Sequence, residues 1–202
     1  MNLTASLLSF LAKLLSGCNV RWVDCQPDTC QRVYFANHTS HLDFVVIWAA
    51  LPPHVRAHTR PVAAKDYWDK KGLRGYLARE VFNAVLIERD RAVAHADPIE
   101  TLVNGLGDAH SLIVFPEGTR GSGTDPAPFK SGIYRVATRR PDVELVPVLI
   151  DNLNRILPKG EFTPVPLLSH IAFGQPIRVG DGEAKGDFLE RARKAVLELR
   201  EW

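Results

Sequence analysis

The chain opens with Leu3, Leu7, Phe10, Leu11, Leu14 and Leu15, whose separations of one, three and four residues place them on one face of a helix over residues 1–17. Thr4, Ser9, Lys13 and Ser16 fall on the remainder of that helix. Ser9 and Lys13 interrupt the apolar run, and it is shorter than the roughly 20 apolar residues a membrane span requires. A signal peptide carries its positive charge ahead of the apolar region, whereas here the lysine lies inside it. Two readings follow: an amphipathic helix packed on the domain, or one lying in a membrane interface.

Beyond Gly17 the pattern alternates between strand and helix. Residues 20–24 and 32–36 read as strands, and Asn37 opens a turn. Residues 44–51 are apolar enough for a buried helix, stopped by Pro52 and Pro53. Residues 61–64 suggest a strand, 66–82 a helical periodicity broken around Gly72 and Gly75, and 85–88 a buried strand rich in β-branched and apolar residues. Pro98 is well placed to start a helix running to about Asp108, followed by a strand over 111–115 and a turn-rich loop over 116–128. Residues 130–139 read as helix, 144–150 as strand, and 171–173 with 177–179 as a final strand pair around Gly174. Residues 187–201 form an amphipathic helix with Leu189, Ala192, Val196 and Leu199 on one side. This alternation predicts a single α/β domain over residues 1–202, with a mainly parallel or mixed central sheet flanked by helices.

Composition narrows the function classes. The chain has 202 residues, 46% of them apolar, which suits one hydrophobic core. With 25 basic and 23 acidic side chains the net charge is +2, so no global positive field exists for nucleic acid and any anion site is local. Cys18, Cys25 and Cys30 form no Cys-x-x-Cys pair and are odd in number, which argues against a zinc knuckle or a secreted disulfide framework. They read as reduced thiols of a cytosolic protein, with a Cys25–Cys30 disulfide as the alternative.

Three segments carry candidate chemistry. The first, Asn37-His38-Thr39-Ser40-His41-Leu42-Asp43, joins a strand end to a helix start. A histidine takes up a proton near neutral pH, and a carboxylate on its second ring nitrogen sets the tautomer and stabilises the imidazolium. Residues five apart in a continuous helix point away from each other, so the pair requires His38 ahead of the helix and Asp43 in its first turn. Ser40 followed by Asp43 also has the form of a capping box, so Asp43 has a purely structural reading as well. His41 reads as a surface or packing histidine. The second segment, Phe115-Pro116-Glu117-Gly118-Thr119-Arg120-Gly121-Ser122, leaves a strand through a turn that displays an acid and an arginine. Gly118 and Gly121 permit close backbone approach, and the Arg120 fork suits phosphate, against the plainer reading of a turn with solvated charges. The third, Ile87-Glu88-Arg89, with Asp90 and Arg91 after it, places charge at the end of a buried strand. Arg89 and Arg120 near one rim make a phosphate cradle, although spacing alone favours a salt bridge between Glu88 or Asp90 and a neighbouring arginine. Lys65 and Lys130 are further candidate cations. His54 and His58 have no evident third partner, and no metal is expected.

Taken in order, these blocks resemble the glycerolipid acyltransferase family, which includes bacterial lysophosphatidate acyltransferases, over roughly residues 32–180. NHTSHLD matches its histidine and aspartate separated by four residues, at His38 and Asp43, and FPEGTRG matches its Glu-Gly-Thr-Arg block. NAVLIER keeps Ile87 and Arg89 of another block but has Asn83 for glycine and Leu86 for phenylalanine. FKSG (129–132) and VPV (146–148) are similar to later blocks. The resemblance implies a glycerol-3-phosphate acyltransferase-like α/β fold, with His38 as general base, oriented by Asp43. It implies that Glu117, Gly118, Thr119, Arg120, Arg89 and Lys65 bind a lysophosphatidic acid-type acceptor in phospholipid biosynthesis. The donor is then acyl-coenzyme A or acyl carrier protein, with no separate cofactor, and no Gly-x-Ser-x-Gly elbow calls for an acyl-enzyme. Amphiphilic substrates imply peripheral attachment at the inner face of the cell membrane from the cytoplasm. The competing readings are a non-catalytic lipid- or phosphate-binding module and an acyl-thioester hydrolase.

Overall fold

The structure is a computed structural model that describes residues 3–40, 42–88, 96–121, 125–151 and 169–201. His41, Arg89, Asp90, Arg91 and Ser122 lie outside the described residues. The strands are β1 (Asn19–Trp22), β2 (Arg32–Ala36), β3 (Thr59–Ala64), β4 (Val85–Ile87), β5 (Ser111–Val114), β6 (Glu144–Asp151) and β7 (His170–Phe173). Among the described residues they form one sheet in the order β1-β7-β6-β2-β5-β3-β4. β6, β2, β5, β3 and β4 run parallel; β7 is antiparallel to β6 and parallel to β1, so the sheet is mixed.

The period-two alternation of strand side chains divides the core into two layers. From β2, Tyr34 and Ala36 point to one face and Val33 and Phe35 to the other. On the first face lie α1 (Leu3–Ser16) and α2 (Asp43–Ala50), whose residues are all buried. The second face carries α6 (Pro98–Leu106), α7 (Gly132–Arg139) and the C-terminal α8 (Lys185–Glu198), packing Ile99, Ile133, Val136, Phe188, Ala192 and Val196 against Val33, Leu112 and Leu145. Between α2 and α6 the chain makes three one-turn helices, α3 (Pro53–Arg56), α4 (Lys65–Trp68) and α5 (Leu73–Tyr76), and a π-helical turn over Leu77–Val81. The expected break at Gly72 and Gly75 has two physical causes. Gly72 adopts φ +96°, and a Cβ on Gly75 would meet the Lys70 carbonyl oxygen at 2.1 Å.

One expectation is corrected. The final strand pair does not form. After β7 the chain continues antiparallel along β6, where Leu145 pairs with Ile177, one residue out of the register set by Val148 and Phe173. Gly174 and Pro176 take up the extra residue, so the backbone bulges past β6 instead of folding back on itself. The N-terminal helix packs on the domain by the side opposite its leucine stripe. The stripe of Leu7, Phe10, Leu11 and Leu14 faces outward, while Ala5, Leu8, Ser9 and Ala12 face the domain. Small residues let α1 approach α2 closely, and buried Arg56, stacked over Trp48 at 4.9 Å, donates hydrogen bonds to Ser9 Oγ and the Ala49 carbonyl. No helix of the described residues is long and apolar enough to cross a membrane.

Helix α6 presses directly on β4: a Cβ on Gly105 would lie 2.6 Å from Val85 Cγ2. In an exposed helix Gly→Ala is stabilising by up to about 1 kcal/mol, but Val85 is buried and its branched side chain is stiff. Gly105→Ala is therefore expected to destabilise the fold by about 1–2 kcal/mol, read as a lower urea midpoint at unchanged m-value.

Candidate active site

The site grows from the C-terminal ends of β2 and β5, which are parallel neighbours in register Val33–Leu112, Tyr34–Ile113 and Phe35–Val114. Their following loops therefore emerge side by side at one rim of the sheet, where open α/β sheets place ligands. Asn37 fastens the end of β2 to β6: its amide donates to the Ile150 carbonyl and its oxygen accepts from the Ile150 N–H, each at 2.8 Å. The side chain thus prolongs the ladder by one pair just before the chain turns.

His38 follows outside the helix and Asp43 opens it, as the spacing requires. Asp43 is fully buried, and its Oδ2 accepts from His38 Nδ1 at 2.8 Å, from Thr39 N at 2.6 Å and from Ser40 N at 2.8 Å. One atom bonds the imidazole and gathers the Thr39 and Ser40 amides ahead of α2, whose N-cap, Leu42, makes no side-chain cap bond. Asp43 Oδ1 is buried without a partner among the described residues. With Nδ1 as donor, the Nε2 lone pair is left facing outward on a ring whose side chain is 20% exposed, and no described residue hydrogen-bonds to it.

The second loop closes on the first. Phe115 stacks on the His38 ring at a centroid distance of 4.2 Å. The turn Phe115–Gly118 is closed by a 3.0 Å bond from the Gly118 amide to the Phe115 carbonyl, and Gly118 takes φ +69°. Glu117 is 3% exposed; its Oε1 accepts from the His38 backbone N–H at 2.7 Å and its Oε2 from the Ala127 N–H at 2.8 Å. Gly121 N–H donates to the His38 carbonyl at 2.8 Å. Glu117, expected on the acceptor, is thus turned inward, where its two oxygens serve the part-buried N–H groups of His38 and Ala127. The signal for Phe115 and Asn37 was present in the same two blocks, but their roles depend on contacts with distant segments, 113 residues away for Asn37, and no local pattern shows them.

Beside this cluster a cavity of about 990 Å³ lies between the sheet and helices α6 and α7. Its outer rim carries Glu88, Gly118, Thr119 and Lys130; buried Val33, Leu112, Ile99, Ile133 and Val136 form its inner end, and Phe115 stands between it and His38. The Lys130 stem lies over Gly118, where a Cβ would meet its Nζ at 2.5 Å. Lys65, at the end of β3, is paired with Glu88 at the end of β4 (Nζ to Oε1, 2.9 Å). The carboxylate raises the lysine pKa through that hydrogen bond. The salt bridge expected between Glu88 or Asp90 and a neighbouring arginine involves residues outside the described ones. Arg120 is half-buried with no partner among the described residues. The expected contribution of Arg89 lies outside the described residues.

The family model described as Acyltransferase matches residues 20–151. The chain belongs to the acyltransferase family. It is 26% identical over 184 residues to a 1-acyl-sn-glycerol-3-phosphate acyltransferase of Limnanthes alba, covering 89% of this chain and 62% of the relative. The enzyme of that name from Salmonella typhimurium is 31% identical over 127 residues, 59% of this chain and 46% of its own length. A lyso-ornithine lipid O-acyltransferase of Brucella abortus is 28% identical over 123 residues, 61% and 43%. The chain thus spans between about two fifths and three fifths of these relatives' lengths. The crystal structure of the 1-acyl-sn-glycerophosphate (LPA) acyltransferase from Thermotoga maritima superposes with a TM-score of 0.71 at 20% identity, covering 98% of this chain and 80% of that one. It shares the acyltransferase fold.

Removing the Asp43 carboxylate strands the Thr39 and Ser40 amides in a buried loop. Asp43→Ala is therefore expected to cost about 3 kcal/mol or more. Asp43→Asn keeps an acceptor oxygen in place and is expected to cost less than half of that. Chemical denaturation of the two variants side by side measures the difference.

Proposed function

We propose that this acyltransferase-family chain moves a fatty acyl group from acyl-coenzyme A or acyl carrier protein to the free hydroxyl of a lysophosphatidic acid-type acceptor, at a membrane surface. The observation that carries the reading is the His38 ring, bonded through Nδ1 to buried Asp43 and stacked on Phe115, which lines the adjoining cavity. Nε2 takes the acceptor's hydroxyl proton as that oxygen attacks the thioester carbonyl, and Asp43 stabilises the imidazolium. A C–O bond forms, the C–S bond breaks, and His38 returns the proton to the departing thiolate. A thioester is already activated, so the chain's work is the base, the alignment and the charge placement.

Arg120 and Lys130 have no carboxylate partner among the described residues, and with Lys65, Gly118 and Thr119 they supply the acceptor's phosphate contacts. Arg89, next to Glu88 in the sequence, is assigned to the same cradle. The transferred acyl chain occupies the apolar inner end of the cavity, which has the volume usual for a ligand site. Acceptors reach the site from a bilayer, and the outward face of α1 is built to meet one. Phe10 is 63% and Leu14 65% exposed, with Leu7 and Leu11 beside them. Tyr76 Oη lies 3.5 Å from Thr4 Oγ1, which brings exposed Leu73 and Tyr76 of α5 next to that stripe, with Lys70, Lys71 and Arg74 on the same segment. Cys18, Cys25 and Cys30, which form no disulfide among the described residues, fit a reducing compartment and hence the inner face of the cell membrane.

The test is thiol release from acyl-coenzyme A and acyl carrier protein donors, with and without lysophosphatidic acid, glycerol 3-phosphate and lyso-ornithine lipid, followed by mass analysis. Release that depends on lysophosphatidic acid and yields its acylated product is expected; equal release without acceptor would make the chain a thioesterase. His38→Ala is expected to lower kcat by about 10²–10⁴-fold with the fold intact. Phe10→Asp combined with Leu14→Asp is expected to weaken cosedimentation with anionic phospholipid vesicles at least tenfold while leaving the melting temperature unchanged.

A further inference from the structure

We infer that Glu117 is a positioning residue that acts on the reaction through the backbone of His38, and that it does not touch the acceptor. This rests on the reading of His38 as the base. Both Glu117 oxygens are already engaged, Oε1 by the His38 N–H at 2.7 Å and Oε2 by the Ala127 N–H at 2.8 Å, on a side chain 3% exposed. With only 3% of the residue exposed, a substrate hydroxyl reaches neither oxygen unless the loop around Glu117 opens. The Gly121 N–H holds the His38 carbonyl at 2.8 Å and Phe115 stacks on the ring at 4.2 Å. The loop after β5 therefore grips His38 at its amide, its carbonyl and its imidazole, and Glu117 is the charged member of that grip.

The choice of a carboxylate follows from the donors it faces. Two N–H groups converge on it from two different loops, and only a group with two acceptor oxygens and no hydrogen serves both. Glutamine has the same shape but turns an NH₂ toward one of the amides. A buried carboxylate is costly, and apolar packing would tie two loops at lower cost. What the charge adds is register. It locks the His38 amide, one bond from the Cα that carries the imidazole, relative to the sheet end.

A displacement of the base by about 1 Å lowers turnover on the order of 10²-fold without weakening substrate binding. Glu117→Gln is therefore expected to reduce kcat by 10-fold to 100-fold with the acceptor KM within threefold of the parent. The His38 Nδ1 proton resonance, read by NMR of the free protein, is expected to shift or broaden. Gly121→Ala is a milder second variant, because its Cβ would lie 3.2 Å from Glu117 Oε2 and press on the carboxylate while leaving it in place. It is expected to change the same two quantities in the same direction by a smaller amount, and it serves if Glu117→Gln does not fold. A rise in acceptor KM equal to or larger than the fall in kcat, in either folded variant, overturns the proposal and returns Glu117 to the acceptor. An unchanged resonance with unchanged kcat overturns it equally. If the parent protein transfers no acyl group, the base reading fails, and the resonance still reports whether Glu117 sets the His38 ring.

Discussion

The parallel pairing of β2 with β5 is the constraint on which the site depends. The two strands are far apart in sequence, yet they lie side by side at the centre of the sheet with all five residues of β2 buried. Parallel strands end at the same rim, so this pairing alone brings the loop bearing His38 against the loop bearing Glu117. At its opposite end the Arg32 backbone N–H donates to Ser111 Oγ of β5 at 2.9 Å, while its side chain ties β2 to β6, with Glu144 accepting from Nε at 3.0 Å and the Gln26 carbonyl from Nη1 at 2.7 Å. Hydrogen bonding to Glu144 keeps that guanidinium charged despite burial. β6, on the other side of β2, joins the rim through Asn37.

Within the rim, burial and polarity are reconciled by sharing acceptors. One oxygen of Asp43 takes three donors and one carboxylate, Glu117, takes two from different loops. Each charge sits where several N–H groups would otherwise be stranded, which is the condition under which a buried carboxylate is tolerated. The start of α2, the end of β2 and the loop after β5 are consequently parts of one network. The imidazole is oriented by the same atoms that hold the local fold.

The two faces of the molecule divide the work. α6, α7 and α8 cover one side and leave a cavity that narrows from charged side chains at the rim to apolar ones within. α1 and α2 cover the other, and α1 is apolar on both of its sides: a small-residue side packs on α2 and a large-residue side faces out. Periodicity in α1 marks the larger side chains as one apolar face, but not whether that face packs on the domain. Close approach to Trp48, Ala49 and the Arg56–Ser9 contact selects the smaller ones.

The sequence by itself determined the order and kind of nearly all the elements, because turn residues and two distinct periodicities are local properties. It also allowed His38 and Asp43 to pair, since both lie within one short strand-to-helix turn, with helix capping by Asp43 left as the alternative. The tertiary structure alone decided which side of α1 is buried, that the chain after Gly174 continues along β6, that Lys65 pairs with Glu88, and that Glu117 points inward to the His38 amide. Each of these depends on contacts between segments far apart in the chain, such as the 79-residue separation of His38 and Glu117. A residue's type limits the bonds it can make, but which donors reach it is set only when the sheet brings distant loops to one rim.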